Sequence, residues 1–231
     1  MKRPEILTEA LELRRLPRVT IEMRGDALCR ELFEHFTRRH PKYRVIQNKA
    51  WGAALLRLPD TYELYLAGGK REKLRNHIKR ATRKGYTVGV VDPVARLDEI
   101  MAINGSAEER QGRPMHPDYL DRDAVVTYLG RASEIYGVSD GEGVLKAYVD
   151  VREAGQVVCV SRLLGAADAL PDGVMWLMLA EVIHRMIDRR RDQGEPTWFM
   201  YDMFSGASSG MVRFKEGIGL EPHTVKWVWR G

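Results

Sequence analysis

A dense run of cations between residues 70 and 84 is the part of the sequence best suited to bind a ligand. Eight of these fifteen residues are Lys or Arg, against the single acid Glu72, and the run has helical spacing up to Gly85. Guanidinium and ammonium groups donate charge-assisted hydrogen bonds to phosphate oxygens, and Arg does so in a two-pronged way. The run therefore predicts phosphate binding, with a solvated helix face as the alternative. The candidate side chains are Lys73, Arg75, Lys79, Arg80 and Arg83.

The basic run lies in the more basic part of an asymmetric chain. Residues 1–90 carry 21 Lys and Arg against 10 Asp and Glu, whereas residues 91–231 carry 16 against 22, and the net charge is +5. A field of this kind attracts phosphate-rich partners such as tRNA, DNA or a nucleotide cofactor. Aromatic side chains in the same part of the chain could stack on bases. These are Tyr43, Trp51, Tyr62, Tyr65 and Tyr86, of which Trp51 is better explained as core.

Asp202 is the candidate general base. In a strand at 196–204 the two-residue period places Asp202 on one face with Trp198 and Met200. A carboxylate on such an apolar face has its pKa raised by desolvation, which suits a group that takes a proton from an amine. The alternative is that Asp202 caps the turn that follows the strand. Tyr201 lies on the opposite face, where packing competes with a role as proton donor.

The elements that position these side chains follow from hydrophobic periodicity and from helix-ending residues. The sequence up to residue 84 predicts helices at 3–16 and 26–39, strands at 19–23 and 51–58, a short helix capped by Asp60, and the basic helix at 70–84. The basic helix has a thin apolar stripe of Leu74, Ile78 and Ala81. Most of its circumference is therefore expected to face water or a ligand.

The remaining sequence alternates strands and helices. It predicts a strand at 86–91, helices at 94–108 and 117–134, a hairpin of 144–152 with 156–164, a long helix at 174–190, a strand at 196–204, a short helix at 211–219 and a strand at 223–229. The fold class expected is α/β (α+β), with a mostly antiparallel mixed sheet flanked by helices. This order is similar to that of the acyl-CoA N-acyltransferase (GNAT) fold.

Two stretches resemble FemAB-type proteins, which are GNAT-related acyl and aminoacyl transferases. The first is a Trp-led strand and short helix followed by a basic helix and a Val-rich strand, with matching positions Lys73, Arg75, Ile78, Ala81 and Gly85. The second is a strand ending in Asp, a Gly-rich turn and an F-K-x-x-x-G helix, with matching positions Asp202, Gly206, Gly210, Phe214, Lys215 and Gly219. The resemblance covers residues 51–231. It implies a transferase domain there, with residues 1–50 as an N-terminal extension.

The resemblance also implies the chemistry. An acyl or aminoacyl group would pass from acyl-CoA, such as acetyl-CoA, or from aminoacyl-tRNA to a primary amine acceptor, with Asp202 taking the proton and Tyr201 serving a leaving thiolate. Many FemAB proteins carry two such units in tandem, and this sequence has room for one, so the donor stays open between CoA and tRNA. A nucleic-acid-binding module on a degenerate GNAT scaffold, using the basic helix for tRNA or DNA, is the alternative function.

Further site residues follow from the same resemblance. Arg162, Gly165 and Ala167 match the GNAT pyrophosphate signature, in which backbone amides cradle phosphate, although an ordinary strand-end turn explains them too. Arg110 lies in the polar loop that borders the acceptor groove in this fold, where a solvated charge is the alternative. Lys215 is expected to contact a donor phosphate or carbonyl, or to cap the sheet.

Composition limits the remaining classes. Cys29 and Cys159 are too few and too widely spaced for a disulfide framework or a zinc site, and no metal-ligand motif is present, so no metal is expected. No stretch approaches the roughly 20 apolar residues that a membrane-spanning helix needs. The N-terminal residues are charged and periodic rather than an apolar signal. We therefore expect a cytoplasmic protein.

Overall fold

The computed structural model describes residues 15–41, 44, 46–110 and 112–231. The helix predicted at 3–16 lies almost wholly outside the described residues. Tyr43 also lies outside them.

The described elements alternate along the chain much as periodicity predicts. In the first half they are β1 (Arg18–Met23), α1 (Ala27–Thr37), β2 (Trp51–Arg57), α2 (Tyr62–Leu66), α3 (Glu72–Arg83), β3 (Thr87–Val90), α4 (Leu97–Gly105), β4 (Glu109–Arg110) and β5 (Arg113–Pro114). In the second half they are α5 (Arg122–Leu129), β6 (Glu134–Ser139), β7 (Leu145–Ala154), β8 (Val157–Gly165), α6 (Val174–Gln193), β9 (Trp198–Met203), α7 (Ser209–Ile218) and β10 (Glu221–Trp229). The predicted α/β class and the mostly antiparallel strand pairing with flanking helices are confirmed.

The chain forms two compact units. The first contains the described residues up to Arg57 together with Glu153–Cys159 and Gly194–Gly231, and the second contains Leu58–Arg152 and Val160–Gln193. The β7–β8 hairpin contributes residues to both units. The division into an extension at 1–50 and a transferase domain at 51–231 stays a prediction.

In the first unit the strand order is β1-β10-β2-β9. β1 runs parallel to β10, with Ile21 opposite Trp227, whereas β2 pairs antiparallel with both β10 and β9. Every second residue near the end of β1 is buried, and Ile21 and Met23 lie in the core. Phe36 of α1 covers this core, with its ring centroid 4.8 Å from that of Trp227. Burying these apolar side chains holds α1 on the sheet.

In the second unit β6 pairs antiparallel with both β7 and β3, with Gly89 opposite Gly137. Helix α3 packs against α6. Leu74 and Ala81 of α3 are fully buried and Ile78 is half-buried, so the predicted stripe is the face that anchors the basic helix.

Several predicted boundaries differ from the structure. Thr61, not Asp60, caps α2, because its Oγ1 accepts the N–H of Leu64 at 3.3 Å, whereas Asp60 pairs with Arg190. The basic helix begins at Glu72, after a single 3-10 turn, Gly69–Arg71. The helix predicted at 117–134 is shorter, since a separate 3-10 turn precedes α5. Among the described residues, no helix has both the length and the apolar character to cross a membrane.

Candidate active site

Helix α3 presents its cations on two separate surfaces. Lys73 and Arg80, with Lys70 just before the helix, line an open cavity of about 480 Å³ whose other lining residues are Gly69, Glu72, Asn76 and His77. Arg75, Lys79 and Arg83 instead line a groove of about 380 Å³ with Leu66, Ile78 and Thr82. The five predicted phosphate-binding side chains therefore form two groups, because residues three and four apart share a helix face.

Two of these arginines also hold neighbouring backbone. Arg75 donates to the carbonyl oxygens of Leu66 and Gly68, the latter at 2.9 Å, and Arg80 donates to the carbonyl of Pro171 at 3.1 Å. Each still has further N–H groups, because a guanidinium carries five donors. Charge reversal at either position would thus disturb structure as well as anion binding. Lys73 is the cleaner probe of the cavity.

His77 is the distinctive side chain of the cavity. Its ring stacks on Trp176 of α6, with centroids 4.7 Å apart and planes 3° from parallel, and the Lys73 Nζ lies 5.4 Å from the same indole. Among the described residues, the buried Nδ1 of His77 has no hydrogen-bond partner. Burial lowers the pKa of His77, and the nearby charges of Arg80 and Lys73 lower it further. The cavity therefore combines cations that can donate to phosphate with an imidazole whose charged form is disfavoured.

The aromatic residues proposed to stack on bases are largely engaged elsewhere. Tyr65 is buried, Tyr62 stacks on His184 at 4.0 Å, and the Tyr86 hydroxyl donates to Asp172. The prediction that Tyr65 is available to a base is therefore wrong in this structure.

Arg110 is not a solvated loop charge. Its Nη1 donates to the carbonyl of Gly165 at 2.9 Å, and its Nη2 donates to the carbonyl of Ile103 at 2.8 Å and to the Ser106 hydroxyl at 3.1 Å. Burial lowers its pKa. Arg110 thus ties the β4–β5 loop to the end of β8, and its predicted contact with the acceptor remains a prediction.

The first two amides of the loop after β8 already have hydrogen-bond partners, whereas a pyrophosphate cradle requires free amides. The Ala166 N–H donates to the Lys146 carbonyl, and the Ala167 N–H donates to Ser106 Oγ. The next turns are bonded internally, and the exposed Asp168 lies beside them. The pyrophosphate cradle predicted from Arg162, Gly165 and Ala167 therefore finds no support in this loop conformation and stays a prediction.

Asp202 differs from its predicted environment. Its side chain is 55% exposed and forms an ion pair with Lys49, so the expected desolvation is wrong. The backbone explains the difference, because Asp202 has a φ of +52°. This left-handed conformation turns the side chain out of the strand's two-residue alternation. Strained conformations of non-glycine residues concentrate at functional sites. Tyr201 is buried, as its packing role predicts.

Lys215 is a buried cation in the same unit as Asp202. It is 2% exposed, its Nζ donates to the carbonyl of Met203, and it lies 5.0 Å from the centroid of the Tyr201 ring. Burial lowers the pKa of Lys215 to about 8. The predicted sheet-capping contact is present, whereas the predicted contact with a donor stays a prediction.

Sequence reasoning missed Lys49 and Trp176 as neighbours of candidate residues. Lys49 meets Asp202 from 153 positions away, and no local period signals such a contact. In the sequence Trp176 appears only as part of an apolar helix. Its stacking on His77 results from the packing of α3 against α6, which no local pattern shows.

Comparison with known proteins identifies the fold. No family model matches the sequence, and no curated protein does so either. Among solved structures, FemX matches with a TM-score of 0.56 at 11% identity over 74% of this chain and 59% of FemX. The chain has the FemX fold. The predicted likeness to FemAB-type proteins is thereby confirmed at the level of the fold.

Two other solved structures match this chain with lower TM-scores. A conserved protein of unknown function from Bacteroides thetaiotaomicron has a TM-score of 0.50 at 15% identity, over 75% of this chain and 58% of that protein. The C-terminal domain of a putative lysylphosphatidylglycerol synthetase from Agrobacterium fabrum has a TM-score of 0.49 at 18% identity, over 74% and 57%. The chain thus spans a little less than three fifths of each structure.

Proposed function

We propose that this protein is an N-acyltransferase that moves an acyl or aminoacyl group from a carrier to a primary amine. The observation that carries the proposal is the FemX fold, which agrees with the FemAB-like motifs at residues 73–85 and 202–219. The donor is acyl-CoA or aminoacyl-tRNA. Both donors carry phosphates, so the proposal requires a basic surface as well as a group that accepts the amine proton.

We assign the donor phosphates to the cavity beside α3. Lys70, Lys73 and Arg80 supply the charge there, and the imidazole of His77 lies among them. Stacking on Trp176 fixes the imidazole in place. A bound phosphate would oppose the electrostatic effect of Lys73 and Arg80 on His77. The pKa of His77 should therefore rise when donor binds, which its NMR chemical shift can follow as pH is varied.

We assign the proton-accepting role to Asp202. Its carboxylate already binds the ammonium group of Lys49, and a substrate ammonium would bind in the same way after displacing that lysine. The bound ammonium first loses one proton to solvent and becomes a neutral amine. The amine nitrogen then forms a bond to the donor's carbonyl carbon, and the bond from that carbon to the thiol sulfur or ribose oxygen breaks. The second proton of the nitrogen passes to Asp202 and from there to the leaving group. Such general-base catalysis contributes roughly 10²- to 10⁴-fold.

Substitution of Asp202 tests this assignment. Asp202→Asn should lower kcat by about 10²- to 10⁴-fold without lowering the melting temperature, since the side chain is exposed. Asp192→Asn, an acid at the exposed end of α6, is the matched control. Lys49→Met should lower the KM for the amine, because the substrate no longer competes with a resident ammonium. Full activity of Asp202→Asn would remove Asp202 from the mechanism.

Native mass spectrometry tests the donor. The protein is measured before and after acetyl-CoA is added, and then with charged tRNA, with Lys73→Glu as the comparison. A CoA-sized increment that Lys73→Glu weakens identifies acyl-CoA as the donor and the α3 cavity as its site. A tRNA complex without CoA binding points to aminoacyl transfer. Equal binding by wild type and variant would place the donor elsewhere.

A nucleic-acid-binding module is the second candidate, favoured by the exposed cations of α3. In that case binding would fall steeply with salt, and Lys73→Glu would reduce the magnitude of the salt slope by about 1. Binding that depends on salt but carries no acyl transfer to any amine would support the module over the enzyme.

A further inference from the structure

Arg162 is a buried cation that the proposed mechanism does not use. It lies on β8 in the second unit and is only 7% exposed. In the described part of the chain, no hydrogen bond or ion pair reaches its guanidinium, and its Nη1 is completely buried without a partner. Burial of an unpaired charge is strongly unfavourable, so such a group calls for an explanation.

The buried carboxylate of Asp150 does not neutralise Arg162. One of its oxygens accepts the backbone N–H of Arg162, and the other accepts the Ser161 hydroxyl at 2.8 Å and the Arg152 Nε at 3.2 Å. Asp150 is 0% exposed, so it has little room for another donor. Arg152 therefore neutralises the charge of Asp150, and among the described residues the Arg162 guanidinium has no carboxylate as its partner.

Two tyrosines hold the Arg162 guanidinium in position. Its central carbon lies 3.6 Å from the ring centroid of Tyr128 and 4.3 Å from that of Tyr119. The Tyr128 ring is itself fixed, because its hydroxyl hydrogen-bonds to Ser161 Oγ at 2.5 Å. Arginine contacts aromatic rings through its flat face, so the two rings do not use the N–H groups at its edge.

We propose that Arg162 binds an oxyanion of the amine acceptor, so that the acceptor is an amine that also carries a carboxylate or a phosphate. The edge of a guanidinium donates two parallel N–H bonds, which both oxyanions accept. The donor phosphates are assigned to α3, which leaves Arg162 for the acceptor. That the oxyanion belongs to an amine acceptor rests on the proposed function, whereas oxyanion binding at Arg162 rests on the contacts alone.

The first test is binding, observed by NMR of the arginine Nε–H groups. The Arg162 signal is assigned by its loss in Arg162→Met. Glycine is compared with glycinamide, and O-phosphoethanolamine with ethanolamine, at matched ionic strength. A shift of the Arg162 signal by glycine but not glycinamide identifies a carboxylate, and a shift by the phosphate ester alone identifies a phosphate. No shift with either glycine or O-phosphoethanolamine overturns the proposal.

The second test separates binding from a structural role. Arg162→Met removes an uncompensated cation, so its melting temperature should equal or exceed that of the wild type. Arg152→Met should lower the melting temperature by several degrees, because it leaves the buried Asp150 without its cation. If Arg162→Met is as destabilised as Arg152→Met, the guanidinium serves the fold and the proposal fails.

Turnover distinguishes this proposal from the proposed function. With an active donor, Arg162→Met should raise the KM for the amine that bears an oxyanion at least ten-fold and leave the KM for its partner without an oxyanion unchanged. NMR shifts without acyl transfer to any amine would refute the enzyme and leave the oxyanion site standing. If acyl transfer is observed, but the amines with and without an oxyanion react equally and no NMR shift is seen, the oxyanion site is refuted and the enzyme is not.

Discussion

The buried Lys215 should make the protein more stable as the pH rises from 7 to 10. Substitution of Lys215 by Met should remove this rise. Its side chain is 2% exposed, and burial lowers its pKa from 10.5 to about 8. Below pH 8 the lysine is charged in both the folded and the unfolded chain, so the full cost of burying the charge is present. Between pH 8 and 10.5 the unfolded chain binds more protons than the folded one, so stability rises with pH.

The magnitude follows from the difference between the two pKa values, which corresponds to about 3 kcal/mol over the whole range. Between pH 7 and pH 10 the expected gain is about 2.5 kcal/mol, because the unfolded lysine is still partly charged at pH 10. Lys215→Met lacks this term. The free energy of unfolding of the variant minus that of the wild type should therefore fall by about 2.5 kcal/mol from pH 7 to pH 10. Packing changes do not depend on pH and cancel in this comparison.

Urea unfolding at pH 7, 8, 9 and 10 measures this difference. Tryptophan fluorescence is a suitable signal, because four of the five tryptophans lie in the same unit as Lys215. Lys226→Met is the matched control, since Lys226 is an exposed lysine on β10. Its difference from the wild type should be the same at every pH. If the curve for Lys215→Met also runs parallel to that of the wild type, Lys215 is not a desolvated cation.

Two further predictions concern packing in the second unit, and one concerns the loop after β9. Gly137→Ala should destabilise by about 1–3 kcal/mol in urea unfolding, because its Cβ would lie 2.4 Å from a leucine methyl group. Its cross-strand partner Gly89 has no atom within 4 Å of the corresponding position, so equal losses for both would refute the argument. Leu74→Ala should cost about 2–5 kcal/mol, whereas Leu64→Ala, at a residue 60% exposed, should change stability by less than about 0.5 kcal/mol. Similar effects of both would mean that α3 is not anchored by its buried stripe. Ser208→Ala should cost about 1 kcal/mol, because the Ser208 side chain caps α7, and no change in stability would contradict that cap.

The sequence predicts the elements well where a strong period marks a buried face. The alternation that ends in Ile21 and Met23 indicates β1, and the stripe of Leu74 and Ala81 indicates the anchored face of the basic helix. Each signal is local, because one face of a strand or helix must be apolar to be buried. The likeness to GNAT and FemAB-type proteins follows from the order of such elements together with the two motifs.

The environments of the site residues were harder to predict, because they depend on backbone conformation and on distant residues. The two-residue period of a strand places Asp202 on the apolar face, but its positive φ places the carboxylate on the surface beside Lys49. Arg110 appears in the sequence as one charge in a polar loop, yet it binds a carbonyl 55 positions away. Local patterns identify such residues as candidates without showing what they contact.

Amide formation tests the central claim most directly. The protein is incubated with a panel of amines and either acetyl-CoA or aminoacyl-tRNA, and the amines are analysed by mass spectrometry, with Asp202→Asn as the comparison. We expect one amine to gain the mass of the acyl or aminoacyl group with one of the two donors, and to gain it much more slowly with the variant. Absence of any acylated amine with both donors, from protein that binds RNA in a salt-dependent manner, would contradict it.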